Sequence, residues 1–450
     1  MQLKKKRKSM NIKRGEVASA LAMASCALLG MPAQAASDPN DWKIDTSLLY
    51  YSETDRVDAT EAAIASERLF KNESKLDFKI TFDTLTGASH NGGLVSDTSP
   101  QTFTTPSGRS LFSTAQGEVP LDDTFQETAR VAISGNYSWL LNRTLRATTG
   151  LYFSNEYDFL SIGANGGLIW DLNQRNTTLS ALVAVEQDSI DPEGGIPDPL
   201  SVQSAFSRID SSDDRTVVDL LLGWTQVMNR RWIMQLNYNL STSSGYHTDP
   251  FKIVTVVDDV TGLTLEAEAL GAQDARAALE TRQGLALSGT NAPGDAQIFE
   301  NRPDSRTKHA LYWENRYTLF NDDVVALGYR FMTDDWGIVS HSIDAKYRWQ
   351  FGNGWFIQPH VRYYTQSKTD FWQASITQSQ YSALLANDGD ISADYRLGDL
   401  DTKTLGVKFG RNLANDKRWD ARFELMDQSG DTEAADVDAT IIQLSYRFFW

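Results

Sequence analysis

The stretch Ile441–Trp450, IIQLSYRFFW, places a large apolar side chain at every second position: Ile442, Leu444, Tyr446, Phe448 and Trp450. Gln443, Ser445 and Arg447 stand between them. Successive side chains of a strand point to opposite faces, so this reads as a β-strand with one apolar and one polar face. The same period recurs through the chain. Leu76, Phe78, Ile80 and Phe82 alternate with polar residues, as do Leu145–Phe153, Trp232–Leu240 and Val339–Trp349. These segments run well past the roughly five or six residues usual in soluble sheets. They suit membrane strands of about 9 to 11 residues plus their ends. Trp139, Trp170, Trp224, Trp232, Trp349, Trp355 and Trp419 fall near segment ends, as interfacial girdles do. A soluble sandwich or propeller accounts for the alternation but not for the lengths or the terminal stripe. The pattern predicts an all-β fold: a transmembrane antiparallel β-barrel of about 16 strands, its outward stripes covered by lipid.

The N-terminus carries Lys4, Lys5, Lys6, Arg7, Lys8, Lys13 and Arg14, then an apolar stretch from Val17 to Gly30 and Ala33-Gln34-Ala35. This is the layout of a secretory signal peptide, residues 1–35, cut after Ala35, with residues 36–450 as the barrel domain. A lipoprotein cut before Cys26, the only cysteine, is the alternative. On the first reading the exported chain has no cysteine, which excludes disulfides and cysteine metal sites. Net charge is −17, and the first 35 residues hold +6 of it, leaving −23 for the remainder. So acidic a body has no electrostatic footprint for nucleic acid.

The links are unequal. Tight turns fall near Leu141-Asn142, Leu172 to Arg175, Asn229, Asn321-Asp322, Gly352-Asn353 and Ala414 to Asp416. Segments 86–126, 188–213, 245–305 and 370–398 are too long for hairpin turns. Short and long links are expected to alternate, as short periplasmic turns and long outer loops do. An even strand number requires Arg56 to Leu69, RVDATEAAIASERL, to be a strand, although it also reads as a short helix. Both chain ends then lie in the periplasm.

Four stretches carry a resemblance: DTLTGASHNGG (Asp83–Gly93), ENRPDSRTKHALYWEN (Glu300–Asn315), DDWGIVSHSIDAKYRW (Asp334–Trp349) and WFIQPHVRYYTQS (Trp355–Ser367). In this order they resemble the outer-membrane barrels grouped as domain of unknown function 3570. The chain departs from that pattern at His90, where the family tends to have proline, which puts the turn after Ser89 in question. The resemblance implies a barrel in the outer membrane of a Gram-negative bacterium. It also implies the company of periplasmic flavin and thiol-redox proteins, but no activity. The final strand, ending at Trp450, resembles the signal read by the barrel-assembly machinery.

With the apolar phase facing out, Glu314, Arg316, Arg330, Asp344, Lys346, Arg348, His360, Arg362, Lys408, Arg422 and Glu424 face the lumen. Such a wall either selects solutes by its field or is a neutralising ladder that keeps a wide lumen wet. A barrel of about 16 strands has room for an aqueous channel, unless segment 245–305 folds in and plugs it. Pro359, before His360, suggests a bulge that re-aims the histidine. A lumenal histidine bonded to a neighbouring carboxylate is the plainer reading.

At the loop mouths, Asp83, Arg302, Asp304, Arg306, Asp334 and Asp335 are the candidates, with Asp304 pinning its loop to Arg302 or Arg306. NDGDISAD, Asn387–Asp394, offers oxygen ligands around a glycine, but without the closing glutamate of a calcium loop it reads as solvated. His341 faces out while Ser340 and Ser342 face in, which fails the geometry of a lipase. His247 and Asp249 lack the acid cluster of an outer-membrane protease. No catalytic residue, metal or cofactor is expected. The expected partners are lipid and lipopolysaccharide, and nothing marks an inter-barrel face. The leading expectation is a channel or facilitator for small polar solutes; the alternative is a plugged barrel that anchors a periplasmic assembly, possibly a redox one.

Overall fold

The computed structural model describes residues 42–450 apart from 95–100, 105–110, 115–119, 122–124, 204–207, 266–295, 320 and 321. The segment 1–35, expected to be an export signal, lies outside the described residues. Sixteen long strands form one closed ring. The first eight are β1 (Trp42–Glu53), β2 (Val57–Leu69), β3 (Lys75–Gly87), β4 (Phe125–Leu140), β5 (Leu145–Asn155), β6 (Phe159–Leu172), β7 (Thr177–Ile190) and β8 (Asp213–Asn229). The second eight are β9 (Trp232–Gly245), β10 (Ser305–Thr318), β11 (Val324–Asp334), β12 (Val339–Phe351), β13 (Trp355–Gln366), β14 (Leu400–Asn412), β15 (Arg418–Gly430) and β16 (Val437–Phe449). Each pairs antiparallel with the next in sequence. The ring closes where β1 meets β16, from Lys43 opposite Phe449 to Glu53 opposite Ala439. The segment that also reads as a helix, Arg56 to Leu69, is strand β2, because only a strand there lets Leu48 and Ile80 share one outward row with its Ala62 and Ile64.

The phase read from IIQLSYRFFW holds round the ring. Leu444 is 53% exposed on the outer face, beside Leu48 and Ala421 in register, while Gln443 and Arg447 turn inward. Asn142 shows how the tight turns are made: its side chain accepts the Thr144 and Leu145 N–H groups at 2.9 Å, closing β4 onto β5.

At the end that carries the termini all links are short. At the other end four are long (88–124, 191–212, 246–304 and 367–399), but four are short (54–56, 156–158, 335–338 and 431–436), so strict alternation of short and long links does not hold. The Asp334 carboxylate makes one of these tight by accepting the Trp336 and Ile338 N–H groups. Pro359 does not create a bulge. The register runs unbroken from β13 to β14, with Pro359 opposite Val407, and pairing to β12 lapses only beside the proline. A missing N–H removes one rung without displacing the strand.

Apart from Phe356 on β13, the best-buried apolar residues lie in the long links. Ile253–Val257 pairs antiparallel with Gln297–Phe299 and parallel with Ser375–Thr377. Helix α1 (Gln378–Asn387) follows, started by a capping box between Thr377 and Gln380. Leu200, Val254, Val256, Ala296, Ile298, Ile376 and Ile391 close one core between these pieces. Its contributors leave the ring at β7, β9 and β13. Residues 88–94, leaving β3, join it as Ile253 N–H donates to Asn91 O and Leu94 N–H to Thr255 Oγ1, both at 2.9 Å. Gly92, at φ +96°, permits this approach: a Cβ there would lie 2.2 Å from the Ile253 carbonyl oxygen. Segments rooted so far apart on the ring meet only if the packed cap lies across its opening.

Candidate functional site

The inner wall of β10–β13 holds the expected residues. Arg316 lies 2.7 Å from Glu314, whose other oxygen accepts the Tyr312 hydroxyl. His360 sits between two carboxylates: Nε2 is 2.8 Å from Asp344 Oδ1 and Nδ1 is 2.9 Å from Glu424 Oε1. Ionised carboxylate oxygens only accept, so this geometry favours a ring that donates from both nitrogens. His360 reaches Glu424 over β14 because the residue between is Gly406; a Cβ there would lie 2.4 Å from Glu424 Cγ. The plainer reading of His360 holds, with two acids rather than one.

Arg348 stacks on the Phe356 ring at 3.7 Å, and its Nε is buried without a hydrogen bond. It is a packed cation, not a free one. Arg362 has only a 3.9 Å contact with Asp344, which already serves His360 and, at 3.8 Å, Lys346. Among the described residues no carboxylate lies within 4.0 Å of Arg330.

Toward the end that carries the termini, signs cancel. Lys43 lies between Asp45 and Glu67, Lys75 between Glu67 and Asp77, and Arg447 meets Asp45 at 2.7 Å. Lys408 and Arg418 share Asp420, and Arg422 meets Glu424 at 3.5 Å. The neutralising ladder is therefore real over that arc. The sequence reading passed over Asp188 and Arg215, a buried pair at 2.7 Å on β7 and β8, although the alternation places both inward.

The loop-mouth candidates separate. Asp83 pairs with Arg130 at 2.7 Å, Arg306 Nε donates to Asp334 at 2.9 Å, and Asp335 accepts the Thr307 N–H at 2.8 Å. Asp304 does not pin its loop through either arginine. Arg306 is taken by Asp334, and Arg302 by Glu300 at 2.7 Å and Asp394 at 2.9 Å, buried acids with prior geometry.

Around Arg302 the cap holds an ion cluster that sequence reading missed. Asp394 meets Arg396 as well as Arg302, and Arg396 meets Asp249 at 3.0 Å. Glu300 accepts the Asp249 N–H and the Ser392 hydroxyl. Lys252, 1% exposed, donates to Ser89 Oγ and the His90 carbonyl. Burial opposes ionisation of Asp394, yet Arg396 and Arg302 more than offset it and hold the carboxyl well below its usual range. Burial pushes Glu300 up, against the pull of Arg302. The stretch Asn387–Asp394 is thus not a solvated loop. Its last four residues are buried, and Asp394 is paired with the guanidinium groups of Arg302 and Arg396. His90, at the departure from the family pattern, is buried, bonds the Gly93 carbonyl oxygen at 3.0 Å and bridges to Leu121. The signal for the cap was present in IVTVV, Ile253–Val257: five buried-strand residues inside a presumed loop.

His247 Nδ1 donates to the Gly245 carbonyl and Nε2 lies 2.7 Å from the Ser243 hydroxyl, so it is held by the rim of β9. His341 bonds the Tyr329 hydroxyl on the outer face, with Ser340 and Ser342 turned inward.

A family model described as "Protein of unknown function (DUF3570)" matches residues 18–448. The chain belongs to this family. Two stretches that carry the resemblance, Asp83–Gly93 and Glu300–Asn315, run from barrel strands into the cap. No curated protein matches. Among solved structures, Pseudomonas aeruginosa OccK2 (OpdF) in complex with glucuronate is 10% identical, with a TM-score of 0.40 over 92% of this chain and 100% of that one. A "Bacterial polysaccharide outer membrane secretin" is 7% identical, with a TM-score of 0.42 over 92% and 100%. The siderophore receptor PirA from Acinetobacter baumannii is 7% identical, with a TM-score of 0.39 over 88% and 54%. Each is a remote likeness.

Proposed function

We propose that the protein is a passive channel for small polar solutes in the outer membrane of a Gram-negative bacterium, with a local preference for anions. One observation carries this reading. Arg316, Arg362 and Lys346 point into the barrel, yet their side chains remain 53%, 47% and 42% exposed. Side chains that face inward and still meet solvent line water-filled space. On this wall Arg316, Arg330, Lys346, Arg348 and Arg362 stand against Glu314 and Asp344, an excess of positive charge in an acidic protein. Lipid covers the outward stripes, the termini lie in the periplasm, and the cap faces out with lipopolysaccharide around it. The final strand would engage the assembly machinery during insertion. The chemistry proposed is passage, not catalysis.

A second reading rests on the cap, which lies across the mouth and favours a closed barrel serving as the anchor of a periplasmic assembly. Single-channel conductance of the refolded chain in a planar bilayer separates the two, with heat-modifiable gel migration as the folding control. Steady ohmic steps are expected. A folded but silent barrel would overturn the channel in favour of the anchor.

A further inference from the structure

We propose that Arg330 and Arg362 form an oxyanion subsite on the inner wall, which takes the carboxylate or phosphate group of a small organic acid. The proposal rests on the channel reading and names the solute class. The two arginines flank β12 from either side. Arg330 on β11 stands opposite Ser342, and Arg362 on β13 stands opposite Asp344, the next inward residue of β12. Arg330 lies within electrostatic reach of Arg362 and of the Tyr312 and Tyr364 hydroxyls, and Arg362 within reach of that of Tyr364. Each hydroxyl is already committed, Tyr312 to Glu314 and Tyr364 to Gln366.

Two features set this pair apart from the rest of the wall. Toward the end that carries the termini, inward cations have an acid beside them, as in the chains through Lys43 and Lys75 and through Asp420, and on the same wall Arg348 is taken up by the Phe356 ring. Here the nearest acid, Asp344, is held by His360, and its contact with Arg362 is 3.9 Å. Among the described residues Arg330 has no such acid within 4.0 Å, and Arg362 has one only at 3.9 Å. Both residues are arginines, whose planar fork matches carboxylate and phosphate with two parallel hydrogen bonds. Tyr312 is opposite Arg330 in register, and Tyr364 lies two residues from Arg362 on the same strand, so two rings flank the pair. An oxyanion that carries an organic body fits between them, with its charge on the guanidinium groups and its body against the rings.

The test is titration calorimetry of the refolded full chain with benzoate and, separately, with inorganic phosphate. Both probes are expected to bind. Arg330→Gln and Arg362→Gln should each weaken binding roughly tenfold, the loss of one charge-assisted contact. Arg330→Lys, which keeps the charge without the fork, should fall between. Arg418→Gln, which removes an inward charge outside the pair, should leave affinity unchanged. Tighter binding of benzoate assigns an organic carboxylate, and tighter binding of phosphate assigns a phosphate-bearing solute. No heat from either probe on folded protein overturns the subsite. So does an equal loss in Arg418→Gln, which would mean diffuse wall charge. Calorimetry needs no open pore, so a barrel that binds but is silent in the bilayer overturns the channel alone. One that conducts but does not bind overturns the subsite alone.

Discussion

Arg348 and Arg362 are equivalent in the alternation, both inward and both basic, yet their surroundings give them different work. Arg348 lies on Phe356, a side chain with no exposed surface, so its charge is part of the packing. Arg348→Ser should therefore lower stability by about 1–2 kcal/mol, the value of a desolvated cation–π contact, with little change in ion selectivity. Arg362→Ser should do the reverse: folding unchanged by gel migration, and the reversal potential in a salt gradient moved away from anion preference. An equal selectivity change in both variants would dissolve this distinction. Inward direction was legible in the sequence because the period of two fixes it. Which inward charge is free was not, because that depends on partners on strands two or more away in the ring, such as Glu424 reaching His360 over Gly406.

Asp394 gives the residue scale its pH dependence. A carboxyl whose folded pKa is depressed contributes stability that is present above its unfolded value, about 3.9, and is lost as pH falls through the folded one. Glu300 has the opposite sign. Its raised folded value favours the protonated form in the cap, so that contribution is present below the unfolded value and fades as pH rises through the folded one. The cap should then resist limited proteolysis from neutral pH down past the ordinary carboxylate range, and give way only well below it. Asp394→Asn leaves buried Arg302 with Glu300 alone and half-exposed Arg396 with Asp249, a weakening that should expose the cap to protease at neutral pH while the strands stay protected.

Among the elements, β16 shows what one face of a strand is worth. Leu444 stands on the outward row between Leu48 and Ala421, and Gln443 on the inward row between Leu49 and Arg422. Arginine on the lipid face near the bilayer midplane costs about 2–4 kcal/mol, whereas a polar lumen accepts it. Leu444→Arg should lower the temperature at which the folded band is lost on gels, and Gln443→Arg should leave it nearly unchanged; a matching loss in both would place neither face in lipid. The strands were legible because each announces itself by alternation over its own length. The cap was not. Its sheet is three short pieces from 253–257, 297–299 and 375–377, with no alternation, and its charges resemble those of any solvated loop until the pieces meet. The pairing of Asp249, Glu300 and Asp394 with Arg302 and Arg396 is a property of the assembled cap, not of any one segment.

At the scale of the whole molecule, ring and cap are stabilised by different means. The ring closes through sixteen antiparallel strand pairings and its outward stripes, neither of which involves the cap core. The cap is held by its own apolar cluster and by the ions around Arg302, drawn from segments rooted at β3, β7, β9 and β13. Loosening the cap should therefore leave the ring intact. Because the cap lies across the mouth, it stands in series with the lumen, and any solute path passes through or beside it. Arg302→Ala removes the cation shared by Glu300 and Asp394 and leaves two buried acids facing each other. In a planar bilayer this variant should give larger and noisier steps than the parent chain, with gel migration of the folded barrel preserved. Unchanged steps would mean that the path runs clear of the Arg302 cluster. Loss of the folded band would mean that ring and cap form a single cooperative unit after all.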